Sequence, residues 1–302
     1  MPKILAVADI GSNTMHMIVA SYNGKNLVRI ENISHWLGLG EIVGKHGFIP
    51  PKTIKKILSS IREFRELAIE TGAKELYVFA TAAMRAAKNN QEIIDAVEKK
   101  FGIEVDLIDQ KREAELGWLG AKIDSNPQSP TLFLEVGGGS IQIAYIKEGY
   151  LKESISLPIG TGRLKVQSSL EYPVKKEQTI LLENIVEEAL AQCQSYGDIE
   201  DIVASGGVSR GIMRALHKDG DPYIHLKELD YLIWSTQKLI VDTIVDRFCV
   251  KQKRAGTLLP GSIIVKKVLN KFNKDRLFIS EYGVREGAIF EIHRGNIIPC
   301  RL

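Results

Sequence analysis

Two short segments of this chain combine an acid, glycine and hydroxyl side chains at the same spacing. The first consists of Asp9, Gly11, Ser12, Asn13 and Thr14, and the second consists of Glu135, Gly137, Gly138, Gly139 and Ser140. An offset of 126 positions, from Asp9 to Glu135, aligns the acids, the first glycines and the last hydroxyl residues of the two segments. This self-similarity indicates two related domains, each presenting one such turn to a shared cleft.

Phosphate is the ligand that both turns favour. Glycine lacks a Cβ, so its backbone can adopt positive φ and direct several N–H groups toward one anion. Asp9 and Glu135 can hold Mg²⁺, directly or through water, which would offset phosphate charge. Either turn alone is compatible with an ordinary hairpin, but two in one frame predict a phosphate clamp. Neither turn precedes a helix at the spacing of a Walker loop or a Rossmann fingerprint, which argues against those two nucleotide sites.

Alternating strands and helices must position the turns. Strands are predicted around each turn and over residues 75–80, 103–108 and 202–204, and helices over 52–70, 91–101, 112–123, 175–196 and 283–293. Gly197 is the predicted stop of the helix over 175–196. This alternation predicts the α/β class. Residues 124–130 contain two prolines and resemble a connector, so we predict domains over residues 1–124 and 125–302.

Composition restricts the class of protein further. The 302 residues suffice for two domains, and no run of 18 apolar residues exists to cross a bilayer. The first residues lead directly into a strand, so we expect no secretory signal and a cytoplasmic location. A net charge of +3 is too mild to indicate nucleic-acid binding, although it suits a polyanion. The densest basic run, residues 251–254, is expected to be a solvated surface stretch unless it borders the cleft.

Three cysteines, Cys193, Cys249 and Cys300, are odd in number and widely separated. This spacing argues against a disulfide framework and against a thiolate zinc site. We therefore expect all three to be reduced and buried.

Seven motifs occur in order across nearly the whole chain: ADIGSNT, ATAAMRAAKN, IDQKREAEL, EVGGGS, LPIGTGRLK, ASGGVSR and ISEYGVREGA. Together they resemble the exopolyphosphatase and guanosine pentaphosphate phosphohydrolase family. The resemblance implies the duplicated ribonuclease-H-like fold of actin and sugar kinases, with a cleft between two domains. It also implies Mg²⁺-dependent removal of a terminal phosphate from inorganic polyphosphate or guanosine pentaphosphate. In the family the last helix can fold back on the first domain.

The resemblance further implies roles for single residues. Glu113 stands in the place of the catalytic glutamate that orients and deprotonates the attacking water. Arg85 stands where a guanidinium can grip phosphate oxygens, and Gly206 and Gly207 could offer N–H groups to a further phosphate. Alternatives remain open: an exposed first-turn glutamate for Glu113, a surface ion pair for Arg85 and a tight strand-to-helix turn for the glycines. Arg285 could guide a polyanion or form a structural ion pair.

Several positions depart from the family pattern. Glu135 replaces an aspartate and Gln142 replaces a glutamate, so we expect weaker metal binding at the second turn. Ala87 and Gly256 replace acids, and Gln110 replaces a glycine. These changes keep open a second hypothesis, a weakly active or inactive sensor that binds polyphosphate or a guanosine alarmone. A small-molecule kinase of the same fold is a third. A firm grip on long chains would need another surface, for example a homodimer groove.

Overall fold

The computed structural model describes residues 2–302 and, within them, contains twelve strands and twelve helices. The elements up to α5 are β1 (Lys3–Ile10), β2 (Thr14–Tyr22), β3 (Leu27–Trp36), α1 (Leu39–His46), α2 (Pro51–Glu70), β4 (Glu75–Ala80), α3 (Ala82–Ala86), α4 (Asn90–Phe101), β5 (Val105–Leu107) and α5 (Gln110–Ala121). Those that follow are β6 (Thr131–Val136), β7 (Ile141–Lys147), β8 (Tyr150–Leu157), α6 (Thr161–Gln167), α7 (Lys176–Ala191), β9 (Asp201–Ser205), α8 (Gly206–Leu216), β10 (Tyr223–His225), α9 (Leu226–Lys238), α10 (Val241–Phe248), α11 (Gln252–Lys271), β11 (Arg276–Ile279), α12 (Val284–His293) and β12 (Cys300–Arg301).

The first compact unit contains the chain up to Gly120 together with Val284–Leu302. Its sheet has the order β12-β4-β1-β2-β3, with β5 beside β4. The central strand β1 runs antiparallel to β2 and parallel to β4, and its residues from Leu5 to Ala8, together with Ile10, are buried on both faces. Helix α2 packs a stripe of apolar side chains at helical spacing into the core, namely Ile57, Ile61 and Phe64.

The second compact unit contains Ala121–Gly283. Its sheet has the order β10-β11-β9-β6-β7-β8, and β6 runs antiparallel to β7 and parallel to β9. The core includes α11, whose Leu259, Ile264 and Leu269 are fully buried. Every helix among residues 2–302 is too short or too polar to span a lipid bilayer.

The duplication extends through three strands of each sheet. Asp9 pairs with His16 on β2 and Phe79 on β4, and the partners of Glu135 stand 126 positions later, namely Gln142 on β7 and Ser205 on β9. Each acid therefore occupies the same place near the end of a strand flanked by one antiparallel and one parallel neighbour.

The C-terminal segment differs from the predicted division of the chain. The predicted boundary places residues 283–293 in the second domain, although the resemblance allows the last helix to pack on the first. In the structure, residues from Val284 onward belong to the first unit. Close packing explains this, because a Cβ built at Gly287 would lie only 1.9 Å from the carbonyl oxygen of Leu116 in α5. Glycine thus lets α12 lie directly against the α5 backbone.

Two local predictions are wrong. Helix α7 ends at Ala191 and does not continue up to Gly197. Beyond Ala191 the chain packs on the sheet, where Tyr196 stacks on Tyr145 with ring centroids 5.1 Å apart. All three cysteines are free as predicted, but Cys249 is exposed and Cys300 only partly buried. Cys249 occupies the left-handed C-cap position of α10.

Candidate functional site

The first turn follows β1 directly. The N–H of Gly11 donates to the carbonyl oxygen of Thr14 at 3.2 Å and closes the turn. A Cβ built at Gly11 would lie 2.7 Å from Oδ1 of Asp9 and 2.8 Å from that same carbonyl oxygen. A side chain at position 11 would therefore displace either the turn or the Asp9 carboxylate beside it.

The carbonyl groups of the first turn are held by the chain that enters α1. The carbonyl oxygen of Asn13 accepts from the N–H groups of Leu37 and Gly38 at 3.0 and 2.9 Å, and that of Ser12 accepts from Gly40 at 2.6 Å. In a planar trans peptide the C=O and N–H point in opposite directions. The N–H groups of the same peptide units therefore point away from this segment, as a turn that presents N–H groups to an anion requires.

The second turn repeats this construction. The N–H of Gly137 donates to the carbonyl oxygen of Ser140 at 3.0 Å, and a Cβ at Gly137 would lie 2.9 Å from that oxygen. The first N–H groups of α6 donate to the carbonyl oxygens of Gly137 and Gly138 at distances from 2.8 to 3.2 Å. The N–H groups of Gly138 and Gly139 consequently point away from α6.

Glu113 and Arg85 form a largely buried ion pair in the first unit. Nη2 of Arg85 in α3 donates to Oε2 of Glu113 in α5 at 2.8 Å, and Nη1 donates to the carbonyl oxygen of Ile108 at 2.7 Å. The two side chains are only 18% and 10% exposed. The alternatives of an exposed glutamate and a surface ion pair are therefore wrong.

The environment of Glu113 alters its proton affinity. Burial raises the pKa of the Glu113 carboxyl, the adjacent Arg85 guanidinium lowers it, and the charge of Asp9 raises it again. A carboxylate with a raised pKa is a stronger base than an exposed glutamate. Glu113 thus binds a proton more readily than an exposed glutamate does.

Asp9 lies in a second ion pair of the same unit. The Arg285 guanidinium, in the first turn of α12, donates through Nη1 to Oδ2 of the Asp9 carboxylate, and both side chains are largely buried. Of the two readings of Arg285, the structure shows the ion pair. Sequence reasoning could not identify this partner, because the two residues lie at opposite ends of the chain.

Gly206 and Gly207 begin α8 beside the second turn's acid. Gly206 has φ of 95°, and a Cβ there would lie 3.2 Å from the carbonyl oxygen of Val136 and 3.4 Å from Cγ of Glu135. Nη1 of Arg254 donates to the carbonyl oxygen of Gly207 at 2.7 Å. Arg254 is thus partly buried against this turn. The prediction that residues 251–254 are solvated therefore holds for residues 251–253, which are exposed, but not for Arg254.

Asp9 and Glu135 remain the predicted metal-linked acids. Within residues 2–302, no group of three or more His, Cys, Asp or Glu side chains is placed to hold a metal ion. Mg²⁺ does not need such a group, because it keeps several waters and binds through one or two carboxylates together with substrate phosphates. Asp9 and Glu135 offer carboxylate oxygens, which are the type of ligand that Mg²⁺ takes.

The chain is similar to known proteins over nearly its whole length. The model of the Ppx/GppA phosphatase family matches residues 17–294. Exopolyphosphatase 1 of Mycobacterium tuberculosis is 26% identical over 309 aligned positions, which cover 94% of this chain and 87% of that protein.

Solved structures agree on the fold. A member of the Ppx/GppA protein family from Aquifex aeolicus superposes with a TM-score of 0.84 at 24% identity, covering 99% of this chain and 100% of the other. An exopolyphosphatase from Cytophaga hutchinsonii superposes with a TM-score of 0.88 at 20% identity, covering 97% and 98%. The predicted class, α/β with two actin-like domains, is confirmed.

Proposed function

Because the chain belongs to the Ppx/GppA phosphatase family, whose members hydrolyse phosphoanhydride bonds, we propose that it removes the terminal phosphate from inorganic polyphosphate or guanosine pentaphosphate. The observation that carries this proposal is the buried Glu113 carboxylate, held by Arg85 in the same unit as the Asp9 turn. Glu113 is the proposed general base.

The proposed reaction is attack of water on the terminal phosphorus. Glu113 accepts one proton from the water as the water oxygen bonds to phosphorus. The bond from phosphorus to the bridging oxygen breaks, and its electron pair leaves with the shortened chain, so that orthophosphate is released.

The ion pair with Arg85 fixes the Glu113 carboxylate. A guanidinium has five N–H donors, so those of Arg85 that do not bond to Glu113 and Ile108 can contact a phosphate oxygen in our proposal. The N–H groups of residues 11–14 would bind other phosphate oxygens in the first unit, and those of residues 137–140 would bind phosphate in the second unit. Gly206 and Gly207, at the start of α8, would offer further N–H groups.

In this proposal the Asp9 carboxylate would offer an oxygen to Mg²⁺ in the first unit, and the Glu135 carboxylate would offer one in the second unit. A bound Mg²⁺ supplies neutralisation of the phosphate charge that builds up during transfer. Asp9 already bonds to Arg285, so in our proposal that guanidinium holds the carboxylate in place beside the first turn.

The pH dependence of hydrolysis should show the altered acidity of Glu113. Only the deprotonated form of Glu113 can accept a proton, and burial raises the pKa of this carboxyl. The loss of activity on acidification should therefore begin at a higher pH than it would with an exposed glutamate as the base. Arg85 lowers this pKa, so Arg85→Met should move the acidic limb of kcat/KM to still higher pH. The wild type and the variant are compared on one substrate, so that titration of the substrate cancels. An unmoved limb would contradict the assignment of Glu113.

Release of orthophosphate tests the proposed function directly. The full chain is incubated with Mg²⁺ and either long polyphosphate or guanosine pentaphosphate, and binding of each ligand is measured in parallel. Release from one substrate with much higher kcat/KM would support hydrolysis and name the substrate. The neutral Gln142 opposite Glu135 favours a sensor as the second candidate, and tight binding without release would support that sensor.

A further inference from the structure

We propose that Gln142 is a positioning residue that makes the Ser140 hydroxyl a hydrogen-bond donor to phosphate at the second turn, an inference that rests on the proposed function of that turn. Both residues are buried, with 1% and 7% of their surface exposed. Nε2 of Gln142 donates to Oγ of Ser140 at 3.1 Å and to Oγ of Ser156 at 3.4 Å.

The sheet explains why these groups meet. Strand β7 lies between β6 and β8, and Gln142 pairs with Glu135 on one side and Ser156 on the other. Directly opposed residues of antiparallel strands share one face of the sheet. Ser140 precedes Gln142 by two positions and points to that same face. The amide is therefore fixed between the second turn and the neighbouring strand.

Hydrogen-bond chemistry then sets the direction of the Ser140 proton. A serine hydroxyl has one proton and two lone pairs. Because the Gln142 amide donates to one lone pair, the Ser140 proton is directed to a different acceptor. Fully ionised phosphate oxygens only accept hydrogen bonds, so a bond between Ser140 and phosphate needs this proton. Donation from the amide also polarises the hydroxyl and strengthens the bond that it donates.

A carboxylate at position 142 would reverse this arrangement. It has no N–H to donate, and it would itself accept the Ser140 proton. It would also place a second negative charge opposite Glu135, and like charges directly opposed on a sheet repel each other. An amide at this position therefore favours an anion, whereas a carboxylate would favour a cation. His16, at the equivalent position opposite Asp9, is likewise not an acid.

Binding of inorganic tripolyphosphate to the full chain in EDTA tests the inference by calorimetry. Ser140→Ala should raise Kd at least tenfold, since a hydrogen bond to a charged group is lost. Gln142→Met should raise Kd by about three- to tenfold. The double variant should bind no more weakly than Ser140→Ala alone, because Gln142 acts through Ser140. Ser154→Ala, on β8 opposite Ala144, is the matched control and should leave Kd unchanged.

Two results would overturn the inference. One is wild-type affinity in Gln142→Met, and the other is an equal loss from Gln142→Met with and without Ser140. If Gln142→Met does not fold, Gln142→Glu serves in its place. It should weaken tripolyphosphate binding, make Ser140→Ala without further effect and raise the affinity for Mg²⁺ alone. A full additional loss from Ser140→Ala in that background would likewise count against the inference.

These measurements separate the inference from the proposed function. Binding in EDTA needs no turnover, so failure of the proposed function appears as tripolyphosphate binding without phosphate release by the Mg²⁺-loaded protein. Failure of the inference appears as additive effects of the Gln142 and Ser140 substitutions, whether or not the protein hydrolyses phosphate.

Discussion

Replacement of Glu113 by glutamine should lower kcat for phosphate release by roughly 10²- to 10⁴-fold, the usual contribution of a general base. The amide has nearly the same shape as the carboxylate but cannot accept the proton of water. Its oxygen can still accept the hydrogen bond that Arg85 now donates at 2.8 Å to Glu113. Substrate binding should therefore remain within a few-fold of the wild type. Single-turnover phosphate release and equilibrium binding measure the two effects separately.

Glu115→Gln provides the matched control for this experiment. Glu115 lies two residues further along α5, its side chain is 33% exposed, and it pairs with Arg112 at 3.4 Å. A partly exposed ion pair of this kind contributes little to stability, so we expect nearly wild-type release. Equal losses in the two variants would indicate damage to α5 in general, and a fully active Glu113→Gln would exclude this residue as the base.

Replacement of Gly160 by alanine should disrupt the second turn. Gly160 has φ of −74°, an angle open to any residue, so the obstacle to a side chain is space. A Cβ there would lie 2.3 Å from the backbone carbon of Gly138 and 2.3 Å from the nitrogen of Gly139. Backbone atoms cannot rotate out of the way, so the turn or α6 must shift. We expect a loss of about 1–3 kcal/mol in the free energy of unfolding and at least a tenfold weaker grip on tripolyphosphate.

Gly211→Ala in the same unit should have the opposite effect on stability. Gly211 lies within α8. Apart from its chain neighbours and the nearby backbone of α8, no described atom lies within 4 Å of a Cβ built at Gly211. Alanine in a helix interior should add about 0.5–1 kcal/mol. Urea unfolding and tripolyphosphate calorimetry of both variants check the pair. Unchanged stability and affinity in Gly160→Ala would contradict the close packing at the second turn.

The duplicated hairpins were predictable because they are local structures. A turn joins two adjacent strands, and the alternation of side chains sets which residues face each other. The acid, the glycine and the closing hydroxyl residue therefore indicated both turns without knowledge of the rest of the chain. Helix α2 was predictable for a similar reason, since Ile57, Ile61 and Phe64 recur at helical spacing. The sequence likewise predicts Glu113 in the first turn of a helix over residues 112–123, and Glu113 lies in the first turn of α5, which begins at Gln110.

The end of α7 was not predictable in this way. Gly197 has the positive φ of 73° that suits a helix stop, but the helix ends earlier, where Tyr196 can stack on Tyr145 of β7. A contact with a distant strand thus overrides the local signal.

The sequence by itself determined the family, the α/β class and the residue types available for phosphate chemistry. Only the tertiary structure decided their partners: Arg85 for Glu113, Arg285 for Asp9 and Gln142 for Ser140. It also decided that Gly160 is required by space and not by backbone angle. The physical reason is that ion pairing and close packing depend on distances between atoms, and residues far apart in the chain acquire those distances only when sheets and helices pack.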